Sequence, residues 1–285
     1  MKEKNTTTIL KFITLACLLS ILSSAIKSQT VIFENGDPSS GSEIGNSVME
    51  APDGSLIVVG STTTDTEGLA DIKVSKLNAD GSEIWTVTHG GFNNDFPGSA
   101  VMLADGSFVI VGTTGSFTDS PSRDVYLLKM DSEGEILWTH SYGGEETDEG
   151  TDIKLTSEGD FIITAFTESY GEGETDGWLF KTDSEGNLLW DQTFGGSESD
   201  NLAGVDIAAD GGYILAGSTE SFAEGMHQDL WLIKTDADGN EMWSQSLGVA
   251  DRIDEGRGVE AASDGYVAIG LTDNDTLGWV KYTNG

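Results

Sequence analysis

Gly211-Gly212-Tyr213-Ile214-Leu215-Ala216-Gly217-Ser218-Thr219, followed by Trp231-Leu232-Ile233-Lys234-Thr235-Asp236-Ala237-Asp238-Gly239-Asn240-Glu241-Met242-Trp243, is one period of a pattern that runs along the chain. The closing tryptophan stands also in Ile84-Trp85, Leu137-Trp138 and Leu189-Trp190, at spacings of 53, 52 and 53 residues, and glycine follows each a few residues on. A second mark, an acidic residue before glycine, recurs at Gly54, Gly106, Gly159, Gly211 and Gly265, at spacings of 52, 53, 52 and 54. Two independent marks with one period define a repeat, and the repeat decides the fold before any local propensity is consulted.

Within each copy four short β-rich runs alternate with turn residues, as in Ser99–Leu103, Phe108–Thr113, Val125–Met130 and Ile136–Tyr142. The acidic-Gly turn joins the first run to the second. Asp80-Gly81, Glu133-Gly134, Glu185-Gly186 and Asp238-Gly239 join the third to the fourth. A lone four-stranded sheet cannot bury both faces, so the sequence predicts an all-β fold, a five-bladed β-propeller of four-stranded antiparallel blades. The expected blades are about 43–90, 96–143, 149–195, 201–248, and 255–285 completed by 30–36. In that last blade Thr30-Val31-Ile32-Phe33 supplies the strand that the C-terminal copy lacks, and the ring closes on its own N-terminal strand. A truncated or larger ring is the rival reading.

Residues 1–28 read as a signal peptide, with Lys2 and Lys4 before an apolar run from Ile9 to Leu22 and small residues at Ser23, Ser24 and Ala25. Cleavage after Ala25 or after Ser28 leaves a single propeller domain, 29–285, with no transmembrane segment. The chain is thus expected to be secreted and to reside outside the cell, on its surface or in a periplasm, as a monomer. Cys17, the single cysteine, falls within the signal, so the mature chain has no thiol for disulfides or thiolate metal sites. The formal charge is −35, and removing the signal's four lysines and one glutamate takes it to −38. A surface this acidic repels nucleic acid and anionic lipid. It suits solubility, and Ca²⁺ is the one cofactor its carboxylates invite. Asp236-Ala237-Asp238-Gly239-Asn240 resembles a calcium loop only superficially and reads better as a hairpin turn.

Lys-Thr-Asp-x-x-Gly-Asn-x-x-Trp, at Lys181–Trp190 and again near Lys234–Trp243, resembles the tryptophan-docking motif of quinoprotein-like propellers. The fuller pattern, Gly211–Thr219 with Trp231–Thr235, is similar to uncharacterised secreted β-propeller repeat proteins of bacteria. The resemblance covers nearly all of the mature chain and implies the fold, without naming an activity. The paired cysteines that would flank a quinone are absent, so no redox chemistry is carried over.

Trp85, Trp138, Trp190 and Trp243 occupy one position of every complete copy, which assigns them to packing between blades, each indole N–H finding a backbone acceptor. Tyr126, Trp178, Trp231 and Trp279 read the same way. Asp71, Asp124, Asp176 and Asp229 are expected to accept backbone N–H bonds where the second long connection enters the third strand. The long connections emerge on one face, which carries Asp95, Asp148, Asp200 and Asp254, the acids Glu145, Glu146, Glu149 and Glu198, and the aromatics Phe117, Tyr170 and Phe222. A ligand site is expected there. His89, His140 and His227 fall at unrelated repeat positions and no nucleophile elbow is present, so no catalytic residue is assigned. The function read from this pattern is a non-enzymatic binding or scaffold module for a glycan or a protein. The alternative is a glycoside hydrolase using two loop-face carboxylates.

Overall fold

The computed structural model describes residues 42–283 except 65, 67, 120, 226, 250, 251 and 273–275. The signal segment and the closing strand expected at Thr30–Phe33 lie outside the described residues. Sheet one comprises β1 (Glu43–Glu50), β2 (Leu56–Thr62), β3 (Asp71–Leu77) and β4 (Glu83–His89). Sheet two comprises β5 (Asp95–Met102), β6 (Phe108–Thr114), β7 (Asp124–Met130) and β8 (Ile136–Tyr142), and sheet three β9 (Asp148–Leu155), β10 (Phe161–Thr167), β11 (Asp176–Thr182) and β12 (Leu188–Phe194). Sheet four comprises β13 (Asp200–Ile207), β14 (Tyr213–Thr219), β15 (Asp229–Thr235) and β16 (Glu241–Leu247), and sheet five β17 (Asp254–Ala262), β18 (Gly265–Thr272) and β19 (Thr276–Thr283). Each sheet is an antiparallel meander in chain order, four strands wide in the first four and three in the last.

The turns explain the meander. In sheet two Leu103 N–H donates to Ser107 O and Gly106 N–H to Leu103 O, closing the first hairpin, and Asp131 and Gly134 repeat the arrangement in the second. Gly106 and Gly134 both sit at φ 86°, a conformation that costs glycine nothing and a side chain about 1 kcal/mol or more. The calcium-like segment is such a turn: Asp236 Oδ1 accepts the N–H groups of Asp238 and Asn240, and Gly239 sits at φ 81°.

The first strand of a sheet starts earlier than the hydrophobic pattern suggests, at Asp95 rather than Ser99 in sheet two. The reason is a β-bulge between Pro97 and Ser99, which carries pairing on until Asp95 stands opposite Thr114. Sheets one, three, four and five have the same irregularity. Pro97 is tolerated because β5 is an edge strand, where a missing N–H breaks no ladder bond. The first strands pack on one another in series, β1 on β5, β5 on β9, β9 on β13 and β13 on β17, so they form the inner side of the array.

Apolar seams join neighbours. Ile57, Val59, Ile72 and Val74 of sheet one meet Phe108, Ile110, Tyr126 and Leu128 of sheet two. Val109, Val111, Val125 and Leu127 meet Phe161, Ile163, Trp178 and Phe180, and Ile162 and Leu179 meet Tyr213, Leu215, Trp231 and Ile233. Ala216, Leu230 and Leu232 then face Ala268. The strand-four tryptophans pack along these seams, with ring centroids 6.5 Å apart for Trp138 and Phe161, and 6.1 Å for Trp190 and Tyr213. One expectation is corrected here: the buried indole N–H groups of Trp85 and Trp138 have no hydrogen-bond partner, because apolar side chains fill the seam around them.

The outer face of sheet one is different. Lys73 stands where the later copies have Tyr126, Trp178 and Trp231, and Ser75 where they have Leu128, Phe180 and Ile233. Lys73 pairs with Glu43, the Ser75 and Thr86 hydroxyls are 2.8 Å apart, and Val48 is 61% exposed. Among the described residues no apolar cluster joins this face to sheet five.

Candidate functional site

The long connections alternate with the short turns, so the long connection within each sheet and the one between sheets leave at the same end. Two columns of aspartate build that end. At the start of each first strand, the carboxylate turns back onto the loop from the preceding sheet: Asp95 Oδ2 accepts Gly91 N–H, Asp148 Oδ2 accepts Gly144 N–H and Asp200 Oδ2 accepts Gly196 N–H, each at 2.9 Å. Asp254 Oδ2 accepts Val249 N–H at 3.0 Å. At the start of each third strand, Asp176 Oδ2 accepts the N–H groups of Glu172 and Gly173, Asp229 Oδ2 accepts Glu224 N–H, and Asp124 Oδ2 accepts the Thr118 hydroxyl.

The two columns meet across a glycine. A Cβ on Gly143 would lie 2.6 Å from both Asp124 Oδ1 and Asp148 Oδ2. The enclosed Oδ1 atoms of Asp124, Asp148 and Asp229 have no hydrogen-bond partner. Burial above all, with neighbouring carboxylates such as Asp148 and Asp200 adding to it, holds Asp124 and Asp176 above the usual carboxylate range. Asp95, Asp148, Asp200 and Asp254, expected as ligand-binding residues, are all buried and serve to fasten the loops. Among the described residues no group of three or more acids, histidines or cysteines is gathered closely enough to hold a metal ion.

The aromatics lie above this layer. Phe117, Tyr170 and Phe222 are 40%, 43% and 50% exposed. Each is fixed by the same device: its N–H donates to the hydroxyl oxygen of Thr114, Thr167 or Thr219 three residues before it. The intervening Ser116, Ser169 and Ser221 accept N–H groups of Asn93, Glu146 and Glu198 from the adjoining inter-sheet loop. Sequence reasoning saw the aromatics but missed the threonine and serine. The signal was present as Thr-Gly-Ser-Phe, Thr-Glu-Ser-Tyr and Thr-Glu-Ser-Phe at the repeat spacing.

Underneath, Phe222 and Tyr170 lean on Trp231 and Trp178, at 5.5 and 5.3 Å between centroids. Phe117 stacks on Tyr126 and on His89, whose Nε2 is 2.9 Å from the Tyr126 hydroxyl. Burial lowers the His89 pKa and raises that of Tyr126 to about 12. Arg123 pairs with Glu149 at the start of β9, and Gln228 donates to Glu255 at the corresponding place in β17. Burial holds Glu149 above the carboxylate range, the Arg123 charge opposes this, and the Glu168 charge reinforces it.

Among the described residues no helix is long and apolar enough to cross a membrane. Residues 51–82 match the family model described as "Domain of unknown function (DUF5122) beta-propeller". The regulatory protein FlaEY of Caulobacter vibrioides is 26% identical over a region that covers 54% of this chain and only 19% of that protein. Solved structures that resemble the chain include the following three. An α-L-arabinanase of Penicillium chrysogenum matches with a TM-score of 0.53 at 13% identity, over 84% of this chain and 80% of that one. The α-L-arabinofuranosidase Arb93A of Fusarium graminearum matches at 0.52 and 11%, over 81% and 92%. A protein of unknown function from Dyadobacter fermentans matches at 0.50 and 10%, over 82% and 73%. At such identities the likeness is one of fold, and the five sheets described above have the β-propeller fold.

Proposed function

We propose that this chain is an exported, non-catalytic propeller that serves as a binding or scaffold module, its loop face contacting an extracellular glycan or protein. The observation that carries the reading is the row Phe117, Tyr170 and Phe222: half-exposed rings at one position of three consecutive sheets, each locked by a threonine below and a serine beside it. Rigid aromatic faces offer large contact area at little entropic cost, to a sugar ring or a side chain alike. The test is a panel of polysaccharides and surface proteins presented to the purified chain and to the Phe117→Ala/Tyr170→Ala/Phe222→Ala variant. Binding by the native chain, lost in the variant with an unchanged melting temperature, is expected. Equal binding by both would move the site elsewhere.

A glycoside hydrolase is the second reading, favoured by the neighbouring carboxyls of Glu149 and Glu168, of which Glu149 is raised above its usual value by burial. Turnover of any polysaccharide that disappears in Glu149→Gln would replace the first reading with this one.

A further inference from the structure

The loop face is built differently between sheets four and five. At the two preceding junctions, and between sheets one and two, the second glycine of the inter-sheet loop is pressed under the serine of the next sheet. A Cβ on Gly91, Gly144 or Gly196 would lie 2.7 to 2.8 Å from the Cβ of Ser116, Ser169 or Ser221, so no larger residue fits. At the fourth junction that glycine is Val249, and its side chain is 59% exposed. In sequence the fifth copy has Thr272-Asp273-Asn274-Asp275 where the others have threonine, serine and aromatic.

A cavity of about 510 Å³ opens beside Val249. Its described walls carry the carboxylates of Glu224, Asp229 and Asp254 between the apolar side chains of Leu230, Leu247 and Leu271, and no basic residue. Asp229 is 99% buried by its 1% exposure, and its Oδ1 has no hydrogen-bond partner. A Cβ on Gly248 would lie 2.0 Å from that oxygen, so only a glycine lets the loop close over the carboxylate here. Carboxylates set among apolar side chains are complementary to a side chain that is aliphatic along its stem and cationic at its tip.

We propose that this cavity receives an arginine or lysine side chain of a partner protein, anchoring the partner at the edge of the aromatic row. The proposal rests on the loop face being the binding face and narrows its ligand to a protein with an exposed basic residue. A cationic tip is drawn to the carboxylates of Glu224, Asp229 and Asp254 while the leucines cover the stem.

The test uses the blocked peptide Ac-Ala-Arg-Ala-amide and its citrulline isostere, read by amide chemical shifts of the isotope-labelled full chain. The arginine peptide should move the signals of Leu247, Gly248 and Val249, the citrulline peptide should not, and added salt should weaken the effect. Glu224→Gln, an exposed change, should weaken binding about three- to five-fold, and Leu271→Trp, which fills the cavity, should abolish it with the rest of the spectrum preserved. Unmoved signals, equal response to citrulline, or the same shifts produced by CaCl2 alone would overturn the proposal. The aromatic triple variant should leave the peptide response intact, so loss of the peptide site and loss of the aromatic site are separate results.

Discussion

A methyl group on Gly144 would meet the Cβ of Ser169 at 2.7 Å, in a seam where the serine is already committed. The Ser169 hydroxyl donates to Asp148 Oδ2 at 2.7 Å and accepts Glu146 N–H, so it cannot yield without releasing both loops. Gly144→Ala should therefore cost about 1–3 kcal/mol by overpacking. Gly144→Ala/Ser169→Gly should recover part of that loss in denaturant titrations, and a double variant no more stable than the single one would show that the seam is not where the strain lies. The same layer shows why sequence reading went only part way. An aspartate following a glycine pair looks alike whether it faces solvent or the loop behind it, and Asp95 or Asp148 is assigned only once the N–H it reaches is known. Phe117, Tyr170 and Phe222 were legible because a large ring recurring in a loop has few alternatives. Their threonine and serine partners were not, since single hydroxyl residues are common in any connection.

At the level of strands and turns, the hairpins were read nearly to the residue, because an acidic residue before a left-handed glycine is a local signal. The first strands were placed late, since a bulge is set by the partner strand and leaves no mark in the pattern. Turns and long connections also differ in how they hold charge. Asp80, Asp105, Asp183 and Asp236 lie below the ordinary aspartate value through hydrogen bonds from the neighbouring serine or asparagine, and Asp53 lies at about 2 for the same reason. Their contribution is present above that ordinary value and lost as pH falls through the folded one. Asp124 and Asp176 have raised folded values, so the native state binds their protons first and gains stability as pH falls from neutral toward the carboxylate range. His89, lowered by burial, opposes that gain because the unfolded chain takes its proton first. The denaturation midpoint should rise as pH falls from neutral toward the ordinary carboxylate value and fall again below that value. Asp124→Asn/Asp176→Asn should flatten the first limb, and an unaltered rise in that variant would assign it to relief of the overall charge of −35 instead.

For the whole molecule, the period gave the repeating sheet, and the count of five came from the period together with the partial copy at Gly256–Tyr282. Closure is a separate matter, because the segment assigned to it matches only a four-residue pattern. If Thr30–Phe33 pairs beside β19, deleting residues 29–36 removes several ladder bonds at about 1 kcal/mol each, a large part of a domain stability of roughly 5–15 kcal/mol. The shortened chain should then melt earlier and associate through the open edge on size exclusion. An unchanged melting curve and elution volume would refute that pairing. The face of sheet one with Lys73, Glu43 and Ser75 bears on a different moment in the life of the chain. Of the five sheets, synthesis from the N-terminal side presents this one before sheet two exists to cover it. With a wetted outer side, the nascent sheet offers one adhesive surface instead of two, and the next sheet to leave the ribosome is the one that matches it.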